Sequence, residues 1–157
     1  MSSTNKPTIQ PAAPTDLPAI TALVSLAYSS YIPRLDGKSP APMTADYASL
    51  VSSSFLYSLI ASETVVGCIS LSASTSHESA LEINNLAIHP LSQGKGYGKL
   101  LLAFAEDVAK EKGLKSCCLY TNVKMVENIA LYRKLGYQEI GRWAEDGFER
   151  VFFVKAL

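Results

Sequence analysis

Gln93-Gly94-Lys95-Gly96-Tyr97-Gly98 is the stretch on which the reading of this chain turns. It follows an apolar segment, Leu86-Ala87-Ile88, and opens a segment over 100–112 with helical spacing. A glycine-rich turn between a strand and a helix leaves several main-chain N–H groups at the positive end of the helix. Those groups make a site for phosphate or pyrophosphate. Glycine suits the turn because a side chain would hold the backbone away from the ligand.

Working outward, the helix after the turn is predicted to present Tyr97, Leu101, Phe104, Ala105 and Val108 as one apolar face. Glu106 and Lys110 form an i,i+4 pair on its polar side, and Gly113 is its stop. A strand over 117–121, a short helix over 126–135 ending at Gly136, and two strands over 137–143 and 148–154 follow. Glu145-Asp146-Gly147 is the turn between those last strands.

Upstream of the glycine turn, the spacing predicts strands over 80–88, 65–71 and 55–61, with a tight turn near Glu63-Thr64. Residues 72–79 form a polar loop. Thr15-Asp16-Leu17-Pro18 starts a helix carrying Ile20, Leu23, Val24 and Ala27. Prolines 33, 40 and 42 make 32–43 a loop, and a second short helix is expected from Thr44, carrying Tyr47, Leu50 and Val51. Residues 8–11 form a short strand, and 1–6 a loose tail. Strand–helix–strand around the glycine turn implies a right-handed parallel pair. The earlier meander is antiparallel, so the sheet is mixed.

Composition narrows the function classes. A chain of 157 residues, 48% apolar and 18% charged, with formal net charge zero, reads as globular. Neutrality argues against nucleic acid as the main partner. No apolar run approaches the ~20 residues of a membrane span. The polar start of the chain carries neither a signal peptide nor a basic presequence, so a cytoplasmic protein with no membrane partner is expected. Three cysteines lack metal-ligand spacing; reduced, buried thiols and no metal site are expected.

Three glycine-rich phosphate sites compete for the turn. A P-loop needs G-x-x-x-x-G-K-[ST], which is missing. A dinucleotide turn needs G-x-G-x-x-G, but Lys99 stands at the third glycine, and no carboxylate follows Tyr120-Thr121-Asn122 for a ribose. Q-x-x-G-x-G is met by Gln93, Gly96 and Gly98, and with its flanking strand and helix it resembles the pyrophosphate loop of the GNAT N-acetyltransferase superfamily. Ala130-Leu131-Tyr132-Arg133-Lys134-Leu135-Gly136-Tyr137 resembles that family's second signature, and Leu86-Ala87-Ile88-His89-Pro90 the strand end before its loop. The element order is similar over nearly the whole chain.

The resemblance implies an α/β fold of the α+β type, with a mixed, mostly antiparallel sheet of about seven strands and helices on both faces, as one domain over 1–157. It implies acetyl-coenzyme A (acetyl-CoA) as donor and an amine as acceptor, joined by direct attack in a ternary complex. The amine attacks the thioester carbonyl and an oxyanion forms. The main-chain N–H groups of Leu86, Ala87 and Ile88 are then placed near that carbonyl and the pantetheine arm, in a cleft between the diverging strands 80–88 and 117–121. Gln93, Gly94, Lys95, Gly96, Tyr97, Gly98 and Lys99 meet the phosphates, the two lysines adding charge.

Tyr132 matches the family's general acid. A phenol near pKa 10 can protonate a leaving thiolate whose reference value is about 8.5. Glu82, eleven residues before Gln93, matches the base of some members and could deprotonate an ammonium, through a water. In unbroken alternation Glu82, Asn84, Leu86 and Ile88 share one face. Asn128, one helical turn from Tyr132, is a cofactor-binding candidate, although the family's usual asparagine position is Met125 here; Asn122 is an alternative. His77 and His89 are expected to be solvated and structural, respectively. Tyr28, Tyr31 and Arg34, with Asp36 and Tyr47, could line the acceptor pocket. Family members are often dimers, which leaves a homodimer open. Rival readings are a non-catalytic coenzyme A-binding regulatory module and a nucleotide-binding domain.

Overall fold

The computed structural model describes residues 6–75 and 77–157. Of the tail expected over 1–6, all but Lys6 lies outside the described residues. Seven strands alternate with helices: β1 (Thr8–Pro11), α1 (Leu17–Tyr28), α2 (Ala41–Thr44), α3 (Tyr47–Ser52), β2 (Leu56–Ala61), β3 (Thr64–Ala73), β4 (Ala80–Ile88), α4 (Tyr97–Glu111), β5 (Ser116–Asn122), α5 (Val126–Lys134), β6 (Gln138–Glu145) and β7 (Phe148–Ala156). They form one mixed sheet in the order β1-β2-β3-β4-β5-β7-β6. The β1–β2, β2–β3, β5–β7 and β6–β7 pairings are antiparallel, and β4–β5 is the expected parallel pair. Its ladder covers only three pairs, from Ala80–Ser116 to Glu82–Cys118.

The fold has two compact units. One runs to Leu71 and resumes over Asn84–Phe104; the other holds Ser72–Ile83 and Ala105–Leu157. In the first, α1 is anchored by Asp16, whose carboxylate accepts from the Ala13 N–H at 2.9 Å and the Ser58 hydroxyl at 3.1 Å. Its stripe of Ile20, Leu23 and Val24 is buried with Tyr47, Leu56, Cys68 and Ala87. Burying an aliphatic side chain of this size stabilises by about 1.5–3 kcal/mol. The second expected helix is displaced: α2 covers part of the predicted loop, and α3 begins after Asp46, whose carboxylate caps the Ser49 N–H at 3.1 Å. Asp46 is the stronger cap because its oxygen reaches an orphan N–H of the first turn. The β2–β3 turn is at Ser62-Glu63, both at positive φ.

The second unit packs Tyr132, Tyr137, Val151, Phe153 and Cys117 into a buried core. Tyr132 meets Tyr137 and Phe153 edge-to-face, at centroid distances of 6.1 and 5.8 Å. The β6–β7 turn has Asp146 at φ 53° and Gly147 at φ 81°, the double positive φ of a tight hairpin turn. Glu106 turns to Lys155 on β7 at 3.1 Å, not to Lys110 as helical spacing suggested. The half-buried lysine offers a better-shielded partner than one on the solvent face.

The face predicted for α4 is rotated. Leu101, Leu102, Ala105 and Ala109 are fully buried, while Phe104 and Val108 are half-buried. Apolar spacing marks a stripe's width, and the packing partners select its centre.

Candidate active site

The glycine turn lies in the first unit. A short 3-10 turn, Pro90–Ser92, follows β4, and the backbone is extended at Gln93. His89 caps this turn, its Nδ1 accepting the Leu91 N–H at 3.1 Å. Gly94 and Gly96 both sit at φ 81°, a region that L side chains rarely adopt. A Cβ built on Gly94, Gly96 or Gly98 would meet no atom within 4 Å. The space that a side chain would take is therefore open above three glycines in a row of six residues.

The first α4 bond runs from the Leu100 N–H to the Gly96 carbonyl at 3.0 Å. None of the N–H groups of Gly94 to Lys99 has an acceptor among the described residues. They open the helix, where the axial dipole is positive, and Lys95 and Lys99 are exposed beside them. Tyr97 is half-buried. Open volume, unpaired donors and positive potential together fit a pyrophosphate.

The strand before the turn departs from plain alternation. Asn85 has φ 51°, so β4 is broken at that residue and the face shared by Glu82, Asn84, Leu86 and Ile88 does not continue through it. Asparagine tolerates this left-handed conformation better than most residues. Its amide donates to the Ser70 hydroxyl at 2.9 Å, and its carbonyl accepts from the Cys68 thiol at 3.6 Å. The Ala87 N–H turns to the Cys68 sulfur. Burial pushes the Cys68 thiol up to about 12, so it remains a donor at neutral pH.

Ala87 itself is buried, with Leu86 and Ile88 half-buried. Tyr28 donates its hydroxyl to the Leu86 carbonyl at 2.5 Å, and the Gln93 side chain donates to the Ile88 carbonyl at 3.1 Å.

The acceptor-side candidates partly assemble. Tyr28 and Tyr31 lie 6.0 Å apart, and the Arg34 guanidinium sits 5.0 Å over the Tyr31 ring. Asp36 adopts φ 57° at the end of a 3-10 turn. Tyr47 is buried in the cluster against which Tyr28 packs, and its hydroxyl is spent on the Pro42 carbonyl. Burial raises its pKa well beyond the usual phenol range.

In the second unit, α5 carries Tyr132 and Asn128. The Asn128 amide donates to the Thr121 hydroxyl at 3.4 Å and lies 3.7 Å from the Met125 sulfur. Asn122 ends β5, its side chain accepting the Lys124 N–H at 2.9 Å. Glu82 is half-buried, at the last pair of the parallel ladder. Its charge reaches Tyr120 and Cys118, whose pKa values are raised by burial first and by Glu82 further.

The three cysteines are free and buried, as expected. No cluster that could hold a metal ion occurs among the described residues, and no helix among them is long and apolar enough to cross a membrane.

Sequence reasoning missed two groups. Cys68, Ser70 and Asn85 act together only across β3 and β4, although an Asn-Asn pair inside an apolar strand is a signal of a break. Arg150, buried on β7, lies 4.3 Å from the Tyr120 ring centroid and pairs with Glu145 at 2.9 Å and Asp146 at 3.4 Å. Nothing local in the sequence marks that arginine as buried.

Comparison with known proteins agrees with this geometry. The acetyltransferase (GNAT) family model matches residues 20–137, and the chain belongs to that family. It is 33% identical over 79 residues to Probable N-acetyltransferase 14 of Xenopus tropicalis, covering 50% of this chain and 38% of that protein. It is 35% identical over 86 residues to the IAA acetyltransferase of Azospirillum brasilense, covering 55% and 56%. The match thus spans about half or less of the length of those relatives. Among solved structures, the PaiA N-acetyltransferase of Thermoplasma acidophilum, crystallised with coenzyme A, superposes with a TM-score of 0.72 at 18% identity, over 97% of this chain and 99% of that one. At that identity the likeness bears on the fold alone.

Proposed function

We propose that this chain is an acetyl-CoA-dependent N-acetyltransferase, working as one domain on a primary amine of a small molecule or peptide. The observation that carries the reading is the run of acceptor-free N–H groups from Gly94 to Lys99 around a cradle that three Cβ atoms would fill. Family membership supports it. When bound, acetyl-CoA supplies an activated acyl group. The chain's own residues do the rest. Gly94, Lys95, Gly96, Tyr97, Gly98 and Lys99 hold the pyrophosphate, and the strand end at Leu86 and Ile88 offers N–H groups beyond the three-pair parallel ladder.

In this reading Tyr132 protonates the leaving thiolate. Its ring is fixed by Tyr137 and Phe153, which limits the phenol to few orientations. Glu82 takes the proton from the acceptor ammonium, directly or through a water. Asn128 is assigned to the cofactor, and Tyr28, Tyr31 and Arg34 to the acceptor amine.

The test is an amine panel of peptides, polyamines, amino acids and aminoglycosides, assayed with acetyl-CoA by thiol release. Turnover with any class supports the proposal. Coenzyme A binding with no turnover on the whole panel would favour a regulatory binding module. Tighter calorimetric binding of ATP or NAD than of acetyl-CoA would overturn the reading altogether.

A further inference from the structure

The two edges of β4 after Asn85 are unequal, and trans peptide geometry shows how. No peptide bond among the described residues is cis, so each carbonyl points opposite to the N–H of the next residue. The Asn85 carbonyl faces Cys68 on β3, so the Leu86 N–H points away from β3. The Ala87 N–H faces the Cys68 sulfur, so the Leu86 carbonyl also points away, and there it meets Tyr28. The Ala87 carbonyl lies against Gly67 of β3, where an added Cβ would come within 3.1 Å of it, so the Ile88 N–H points away. Finally, the His89 N–H donates to the Val66 carbonyl of β3 at 2.8 Å, which sends the Ile88 carbonyl outward to Gln93.

The edge facing away from β3 therefore carries, in order, the Leu86 N–H, the Leu86 carbonyl, the Ile88 N–H and the Ile88 carbonyl. A normal strand edge alternates donors and acceptors in this way and attracts another strand. Here both carbonyls are capped by side-chain donors, one from α1 and one from the glycine turn. Both N–H groups point away from β3 and lie beyond Glu82–Cys118, the last pair of the parallel ladder, so no ladder partner meets them on that side. What is left is an edge of donors only. The peptide planes are held on the other side by Cys68 and by the Asn85–Ser70 bond at 2.9 Å.

We propose that Tyr28 and Gln93 are positioning residues that, by capping the Leu86 and Ile88 carbonyls, reserve this edge of β4 for the thioester carbonyl of acetyl-CoA. A carbonyl oxygen brought to an uncapped edge would face two repelling acceptors beside its two donors. Capping removes that repulsion and fixes the donors in advance, as electrostatic stabilisation of a developing oxyanion requires. Tyr28 thus acts through the main chain of β4, whatever lies on the acceptor side of its ring. The inference rests on the reading of the chain as an acetyl-CoA enzyme.

The test needs no acceptor amine. Acetyl-CoA and free coenzyme A are titrated by calorimetry against the wild-type chain, Tyr28→Phe and Gln93→Met, and the ratio of the two affinities is compared. Each variant removes one donor and keeps the bulk of the side chain. The expected result is a fall of about five- to tenfold in the preference for acetyl-CoA, the scale of one lost hydrogen bond. Affinity for free coenzyme A should stay within about twofold, because both side chains are committed to β4 carbonyls rather than to phosphate, and the main-chain donors of Gly94 to Lys99 are kept. A structural role would lower both affinities together, and that outcome overturns the inference, as does an unaltered ratio in both variants. If Tyr28→Phe fails to fold, Gln93→Met on the exposed turn decides alone. A wild-type chain that binds neither ligand refutes the proposed function itself, so the two failures are distinguishable.

Discussion

Replacing Gly98 by alanine should move stability and ligand binding in opposite directions. Gly98 is the second residue of α4, its φ is not in the left-handed region, and an added Cβ meets nothing within 4 Å. Alanine there incurs no clash and removes the entropic cost of a helical glycine, a gain of about 0.5–1 kcal/mol. With an unfolding entropy of roughly 2.1 cal/mol/K per residue, that gain raises the melting temperature by about 2–3 °C. The same methyl group stands in the volume assigned to the pyrophosphate. Displacing a phosphate from two main-chain donors, at about 1.5–3 kcal/mol for each charged hydrogen bond, should weaken acetyl-CoA binding roughly 100-fold or more. Scanning calorimetry reads the first effect and isothermal titration the second. A Gly98→Ala chain that melts higher yet binds acetyl-CoA with wild-type affinity would refute the cradle. A chain that melts lower would refute the claim that the space is empty.

Three further outcomes are expected. Tyr132→Phe should keep the ring packing on Tyr137 and Phe153 and melt within about 2 °C of wild type. Its kcat should fall about 100-fold with the KM for acetyl-CoA unchanged, the usual scale for a lost general acid; an unchanged kcat removes Tyr132 from the chemistry. Gly141→Ala places a Cβ 2.5 Å from the ring of Trp143, which stacks on Phe152 at 3.8 Å. The ring is 45% exposed and its far edge can swing into solvent, so it should shift at a cost below about 1 kcal/mol by urea unfolding. Trp143 is the single tryptophan, so a red-shifted emission reports the move directly. Finally, burial raises the Cys68 and Cys117 thiols from 9.0 to about 12, so the folded state holds more protons than the unfolded one between those values. Stability should be complete below about pH 9 and fall as pH rises through that window, in denaturant midpoints taken along a pH series. A midpoint independent of pH there would show that the thiols ionise freely in the fold.

Much of this molecule is legible without coordinates. The bounds of β1 and β4 coincide with the stretches the sequence predicts for them, and Gly113 and Gly136 close α4 and α5 where the sequence places stops. The glycine turn is legible for the same reason. Its meaning depends on backbone freedom and on the orphan donors of one helix end, both local properties.

What the residue order could not settle depends on partners far away in the chain. Tyr28 reads as an acceptor-side aromatic, and nothing local in the sequence shows that its hydroxyl also reaches a carbonyl 58 residues on. Asn85 reads as one step of an alternating strand, because period-two patterning assumes β geometry at every residue and is blind to a single left-handed one. Glu106 has two lysines within sight of its charge, one on its own helix and one 49 residues away, and only the packing of β7 beside α4 chooses Lys155. The family and its glycine turn were thus determined by the order of the amino acids. Which carbonyls are capped, and so which edge of β4 is left to donate, was decided by the tertiary structure, since hydrogen bonds between distant segments exist only once the chain has closed on itself.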